Sequence, residues 1–152
     1  MTIGVLGGGQ LGRMLALAGT LLGFRFRFLD PDAGCPASAV GEVIAGAYDD
    51  PQALDRFAKG VDLVTFEFEN VPAETVRRLS SRVAIAPGAE SLATGQDRAP
   101  EKRFFAQCGL PVAPWAEVHD AASLMAAVDS VGVPAVLKAR RLGYDGEGQC
   151  VI

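Results

Sequence analysis

Over the first 86 residues, short apolar segments alternate with segments of helical pattern. We expect strands at 2–6, 24–29, 42–45, 61–68 and 83–86, and helices at 11–22, 51–59 and 72–80. Strands that are separated by helices of this length pair in parallel, with right-handed crossovers. The sequence therefore predicts an α/β domain built on a Rossmann-like parallel sheet.

The rest of the chain predicts the beginning of a second unit. We expect helices at 97–108 and 120–131, a strand at 134–139 and a returning strand at 149–152. The boundary is placed near Gly95, which gives domains 1–95 and 96–152. The second unit is too short to close a core of its own.

Composition narrows the class of protein. A net charge of −4 over 152 residues gives no reason to expect nucleic acid as the main partner. No apolar run approaches the ~20 residues that span a membrane. The three cysteines, Cys35, Cys108 and Cys150, form no C-x-x-C pair, which favours reduced thiols over a zinc site. Met1–Leu6 lacks the basic region of a signal peptide, so we expect a cytoplasmic protein.

A glycine loop, Gly7–Gly12, follows the first strand and opens the first helix with the pattern G-x-G-x-x-G. Backbone amides at such a turn can approach an anion, and the helix N-terminus favours negative charge. Asp30 stands about where a dinucleotide fold carries its ribose carboxylate. A dinucleotide, another phosphate ligand and a purely structural turn all remain open. Towards the end of the strand at 61–68 the pattern alternates, with Phe66 and Phe68 on one side and Glu67 and Glu69 on the other. At the sheet edge that also carries the glycine loop, these carboxylates could hold sugar hydroxyls or an amine, or they could be solvated acids.

A second glycine loop follows Lys138, which emerges from the apolar strand at 134–139. A lysine there is costly to bury without an anion partner, and a nucleotide phosphate is such a partner. Gly143, Gly146 and Gly148 let the next segment fold over phosphates and expose its amides. This is not a Walker A loop. A hairpin with a mobile tip and a solvated lysine is the alternative.

Together these segments resemble the ATP-grasp superfamily and, within it, the N5-carboxyaminoimidazole ribonucleotide synthetases. The matching segments, in family order, are Gly7–Met14, Phe66–Val71, Gln96–Arg98 with Glu101 and Lys102, Gly109–Pro114, and Lys138 with Gly143–Gln149. The run Gly-Tyr-Asp-Gly at 143–146 is the most discriminating of them. The resemblance implies a pre-ATP-grasp domain followed by the start of an ATP-grasp small subdomain.

The resemblance also implies a reaction. ATP phosphorylates bicarbonate to carboxyphosphate, which, directly or through released CO2, carboxylates 5-aminoimidazole ribonucleotide in purine biosynthesis. The implied ATP contacts are Arg98, Lys138, Gly143, Tyr144, Asp145, Gly146, Glu147, Gly148 and Gln149. Of these, Tyr144 and Asp145 would also lie near the reacting groups. The implied ribonucleotide contacts are Gly8, Gly9, Gln10, Leu11 and one of Glu67 or Glu69.

Two departures from the family stand out. Glu147 replaces the usual arginine or lysine, and a carboxylate there repels a triphosphate unless it turns outward or a cation bridges it. Family members are also more than twice as long, so the carboxylates that bind Mg²⁺ are expected outside this chain, which alone should be inactive and hold no metal. The resemblance further suggests a homodimer for the full-length protein.

Two other classes of function compete with the ligase. A nicotinamide-dependent oxidoreductase would use Gly7–Gly12 and Asp30, but it leaves Lys138 and the second loop unexplained. A non-catalytic fragment would keep only the nucleotide-binding crevice. Within the ATP-grasp enzymes, a formate-dependent glycinamide ribonucleotide transformylase is the near neighbour, and the segments 66–71 and 143–146 favour the synthetase.

Overall fold

The computed structural model of the protein describes residues 1–143 and 146–152, which form two compact units, Met1–Ala93 and Thr94–Ile152. The first unit contains β1 (Thr2–Leu6), α1 (Gln10–Thr20), β2 (Arg25–Asp30), a 3-10 turn (Pro36–Ala39), β3 (Glu42–Ala45), α2 (Pro51–Ala58), β4 (Leu63–Phe66), α3 (Ala73–Ser80) and β5 (Ala84–Ile85). A further helix, α4 (Ala89–Gly95), runs across the division between the units.

The first unit is organised around a five-stranded sheet with the order β3-β2-β1-β4-β5. Every neighbouring pair is parallel. This confirms the predicted α/β class. The strand order reverses between β1 and β4, and ligands of such sheets bind at the carboxyl edge beside that reversal. Leu6 at the end of β1 pairs in register with Phe66 at the end of β4, so the segments that follow both residues meet at this edge.

Both faces of the sheet are covered, as in doubly wound α/β domains. Successive residues of a strand point to opposite faces, and Val5 and Leu6 belong to different core clusters. The larger cluster includes Leu54 and Phe57 of α2 and the residues Val64, Val76 and Leu79, all fully or almost fully buried. The first unit therefore has a core cluster on each face of the sheet, and both clusters include residues of β1, the strand that leads into the glycine loop.

Helix α1 packs on the sheet through its smallest residues. Its buried positions are Gly12, Ala16 and Gly19. A Cβ on Gly19 would collide with a ring carbon of Phe26, so only glycine lets the helix approach the sheet this closely. The large apolar side chains of this region face outward, namely Leu11, Met14, Leu15, Leu17, Leu21 and Leu22.

The second unit contains α5 (Arg98–Gln107), α6 (Ala121–Val131), β6 (Val136–Lys138) and β7 (Gln149–Val151). β6 and β7 pair antiparallel, with Lys138 opposite Gln149. Asp120 and Ser123 form a reciprocal capping box at the start of α6. Within residues 94–143 and 146–152, Ala99 is the only hydrophobic residue that is buried.

Some elements differ from the sequence-based expectation. β4 ends at Phe66, two residues earlier than predicted, so Glu67 and Glu69 lie beyond the strand and their predicted strand alternation does not apply. The sequence also did not predict α4 or the 3-10 turn. In α4 only Leu92 is buried, which leaves little amphipathic pattern to detect.

Candidate functional site

The first glycine loop is held by carboxylates from two other segments of its own unit. The amide of Gly8 donates to Asp30 at 2.8 Å. The amides of Gly9 and Gly12 donate to the two carboxylate oxygens of Glu67, at 2.6 Å and 2.5 Å. Glu67 follows β4 directly, which is why it reaches the loop that follows β1. The structure thus brings Gly8, Gly9 and Glu67 together.

The carboxylate of Asp30 already accepts hydrogen bonds from groups of its own unit. Besides the Gly8 amide, it accepts hydrogen bonds from the hydroxyl of Tyr48 at 3.3 Å and from the amide of Asp32 at 2.9 Å. Burial and then the charge of Asp30 raise the pKa of Tyr48 above its ordinary value, and the same two causes raise the pKa of the Cys35 thiol. A carboxylate used in this way is poorly placed to bind a ribose, which argues against the dinucleotide interpretation.

The other residues proposed for this edge are exposed. Gln10 and Leu11 occupy the first turn of α1, where their side chains face solvent. Glu69 is also exposed, and it lies three residues beyond the end of β4. The carboxyl edge therefore combines a loop closed on Glu67 with exposed positions at Gln10, Leu11 and Glu69.

In the second unit, Arg98 and Lys138 line one groove of about 630 Å³. Residues of α5, α6 and β6 contribute to this groove, and Lys102, Trp115, Leu124 and Val128 are among those that line it. The structure thus brings together the two cations that sequence analysis assigned to ATP. The lining combines cations and the carboxylates of Glu101 and Glu117 with aromatic and aliphatic side chains, which suits a ligand with both charged and apolar parts.

The root of the second glycine loop is attached to the start of α5. The Arg98 amide donates to the carbonyl of Arg140 at 3.1 Å, and its Nε donates to the carbonyl of Ala139 at 3.1 Å. Across the hairpin, the Ala139 amide donates to the carbonyl of Gly148 at 2.6 Å. Arg98 is therefore fixed beside Ala139 and Arg140, which lead into the loop.

The described glycines of the loop have specific roles. Gly146 and Gly148 have φ values of +84° and +67°, a conformation that favours glycine. A Cβ on Gly143 would lie 3.5 Å from a terminal nitrogen of Arg98. Glu147 and Gln149 are exposed. The two catalytic candidates, Tyr144 and Asp145, lie outside the described residues.

An ion-pair network that sequence analysis missed holds the loop root. Arg140 donates through Nε and a terminal nitrogen to both carboxylate oxygens of Asp97, at 3.0 Å and 2.8 Å, and to Glu117 at 2.8 Å. Glu117 also pairs with Arg103, whose guanidinium lies 5.8 Å from the ring centre of Trp115. Asp97 additionally caps α5 by accepting from the Ala99 amide. In the sequence, only the position of Asp97 at the start of a helix hinted at a structural role for this residue. Its ion-pair partner Arg140 lies 43 positions further along the chain.

The Asp97–Arg140 pair predicts a pH dependence. The hydrogen bond from Arg140 holds the pKa of Asp97 below its ordinary value. Its contribution to stability is therefore present above the unfolded-state pKa and is lost as pH falls through the lowered folded-state pKa. Asp97→Asn keeps an N-cap acceptor but removes the charge, so we expect a lower melting temperature of this unit at neutral pH and convergence with the unmodified chain in acid.

Fluorescence measures this effect, because Trp115 is the only tryptophan and lies in the second unit. Asp129→Asn is the matched control, since it removes the same charge from an exposed position of α6. Equal melting temperatures for Asp97→Asn and the control at neutral pH would contradict the role given to this pair.

With the geometry established, comparison with known proteins decides the family. Residues 1–96 match the family model of the ribonucleotide synthetase preATP-grasp domain. The chain belongs to this family. Residues 103–152 match the ATP-grasp domain model, so a preATP-grasp domain is followed here by the start of an ATP-grasp domain. This confirms the resemblance drawn from the glycine loops and removes the main support for a nicotinamide-dependent enzyme.

Individual proteins to which the chain is similar in sequence or structure are synthases of the same family. The N5-carboxyaminoimidazole ribonucleotide synthase of Pseudomonas aeruginosa is 55% identical over the whole chain, which covers 42% of that protein. The synthetase structure from Thermus thermophilus shares 50% identity and a TM-score of 0.89, over 98% of this chain and 40% of that one. An Aspergillus clavatus structure with ADP and 5-aminoimidazole ribonucleotide shares 30% identity and a TM-score of 0.86, over 99% and 40%. The chain thus spans about two fifths of the length of these relatives.

The part of the chain that the structure describes offers neither a cluster of metal ligands nor a membrane-spanning helix. Residues 1–143 and 146–152 contain no cluster of three or more histidine, cysteine, aspartate or glutamate side chains that could hold a metal ion. Over the same residues, no helix combines the length and the apolar character needed to cross a membrane. All three cysteines are free, and only Cys35 is buried.

Proposed function

We propose that this chain is the N-terminal part of an enzyme that carboxylates 5-aminoimidazole ribonucleotide with ATP and bicarbonate, through carboxyphosphate, in purine biosynthesis. The observation that carries the proposal is the 55% identity, over the whole chain, to a protein named as the synthase of this product. The relative with ADP and the ribonucleotide bound supports the choice of both ligands.

The second unit would bind ATP. Arg98 and Lys138 line the same groove, and their charges would neutralise the triphosphate and the phosphoryl group in transfer. The segment Gly143–Gln149 would close over the phosphates and keep water from the labile mixed anhydride. Its root is attached to Arg98, so closure of the loop and placement of that cation would be coupled. Tyr144 and Asp145 would lie beside the bicarbonate and the amine.

The first unit would bind the ribonucleotide at the carboxyl edge between β1 and β4. The proposed contacts in the loop are Gly8, Gly9, Gln10 and Leu11, with the exposed pair Gln10 and Leu11 at the N-terminus of α1, where anions are favoured. One carboxylate, Glu67 or Glu69, would approach the sugar or the amine. Glu67 accepts two amide hydrogen bonds from the loop, and Glu69 is exposed, so both carboxylates are kept as candidates.

The remaining parts of the proposal concern the full-length protein. Mg²⁺, when bound, would supply positive charge that offsets the negative charge of the ATP phosphates. The described residues provide no carboxylate cluster for it, so its ligands are proposed to lie in the ATP-grasp region that this chain does not cover. We further propose a cytoplasmic homodimer. The outward-facing leucines of α1 support an association surface, since large exposed apolar patches commonly mark interfaces.

A chimera tests the proposal. In it, this chain replaces the matching 152 residues of the Pseudomonas aeruginosa relative, which supplies the missing region. We expect the chimera to release ADP only when bicarbonate and 5-aminoimidazole ribonucleotide are both present. ADP release that needs neither compound would count against the proposed reaction. The 152-residue chain alone is expected to show no such turnover, because it lacks the region proposed to bind the metal.

A further inference from the structure

The carboxylate of Glu67 occupies the place that an anion takes in a glycine loop of this kind. Its two oxygens accept from Gly9 at 2.6 Å and from Gly12 at 2.5 Å, at the start of α1. Its stem also lies against the loop, since a Cβ on Gly7 would be 2.5 Å from the Glu67 Cγ. Gly7 has a φ of +102°, so the turn that fits around this side chain needs glycine.

The carboxylate of Glu67 affects anion binding in two ways, through its negative charge and through the amide donors that it occupies. Amide hydrogen bonds to a carboxylate are charge-assisted, and a helix N-terminus adds a favourable field. In dinucleotide folds, the corresponding amides bind the diphosphate. Here two of them are used by Glu67 and the Gly8 amide is used by Asp30. An incoming diphosphate would find these donors taken and would meet two carboxylates.

We propose that Glu67 is a positioning and specificity-determining residue that fills the diphosphate subsite of the loop from within the protein. It fixes the shape of the turn and excludes dinucleotides. A ligand at this edge would therefore bind without the amides of Gly8, Gly9 and Gly12, and Gln10 and Leu11 in the first turn of α1 are exposed to it. The inference is independent of the proposed carboxylation, because it concerns only the loop and its internal carboxylate.

Binding of inorganic pyrophosphate to the 152-residue chain tests the inference. Glu67→Gln keeps the size of the side chain but removes its charge and one of its two acceptors. We expect this variant to bind pyrophosphate about tenfold more tightly than the unmodified chain does, because a nearby negative charge has been removed. Glu74→Gln is the matched control, since it makes the same charge change at an exposed position of α3 and should leave binding unchanged. A folded Glu67→Gln variant with no gain in affinity would overturn the proposal.

The unmodified chain provides a second measurement that does not depend on the folding of a variant. In a pyrophosphate titration followed by amide NMR, we expect the Gly9 and Gly12 resonances to stay in place at millimolar ligand. Their position should be strongly downfield, as short hydrogen bonds to a carboxylate require. Saturable shifts of these two amides on addition of pyrophosphate would show that Glu67 does not block the subsite, and the inference would then be wrong.

Discussion

In the chimera, replacing Lys138 with alanine is expected to lower kcat/KM for ATP by about 100-fold or more, the usual cost of losing one preorganised charged donor to a reacting group. Lys138 ends β6 and lines the same groove as Arg98, from which it would neutralise charge on the triphosphate. Because β6 is held by its pairing with β7, the substitution removes the charge while the strand keeps its position.

Steady-state ADP release at varied ATP concentration measures this effect. Lys59→Ala is the control, because Lys59 is an exposed lysine that follows α2 in the first unit. The control should keep the kcat/KM of the unmodified chimera. If Lys138→Ala and Lys59→Ala gave the same kcat/KM, Lys138 would have no role in ATP binding.

The second large effect concerns stability. Leu54→Ala is expected to lower the free energy of unfolding of the first unit by about 2–5 kcal/mol, since it removes a buried side chain and leaves a cavity. Leu54 is 1% exposed, in the core cluster that joins α2 to the sheet. Leu17→Ala makes the same chemical change on α1 at a position that is 51% exposed, and in the 152-residue chain on its own we expect it to cost less than about 0.5 kcal/mol.

Urea denaturation followed by circular dichroism compares these two variants. A similar loss of stability in both would mean that the outward face of α1 is covered in solution. If Leu54→Ala lowered the free energy of unfolding only slightly, the placement of Leu54 in the core would be wrong. The pair therefore tests both the interior of the first unit and the exposure of its most apolar helix.

Much of the fold could be predicted because local pattern and tertiary structure agree in the first unit. The strand Glu42–Ala45 has the predicted bounds, and the helix that begins at Pro51 starts where predicted, with Asp50 as its N-cap. β4 is the instructive exception. The alternation of aromatic and acidic residues predicted a strand to Phe68, but Glu67 leaves the sheet to reach the amides of Gly9 and Gly12. That contact joins residues 55 or more positions apart, and a local pattern contains no trace of it.

In the candidate site, too, local sequence pattern indicates some features and gives no sign of others. Glycine spacing and the lysine at a strand end are the local patterns from which both loops were proposed. The partners of the loops were not predictable, because each lies far along the chain: Asp30 holds Gly8, and Asp97 holds Arg140. Asp30 shows the risk of assigning roles by spacing alone. It lies at the position where a dinucleotide fold binds ribose, but its carboxylate accepts a hydrogen bond from the Gly8 amide of the glycine loop.

The enzyme proposed above activates bicarbonate with ATP to carboxylate 5-aminoimidazole ribonucleotide. The most direct measurement follows isotopes through the chimera supplied with bicarbonate labelled with ¹³C and ¹⁸O. We predict that the amine of the ribonucleotide acquires ¹³C and that the released phosphate carries one ¹⁸O atom from bicarbonate, as a carboxyphosphate intermediate requires. Released phosphate without ¹⁸O, or a ribonucleotide without ¹³C, would contradict the account.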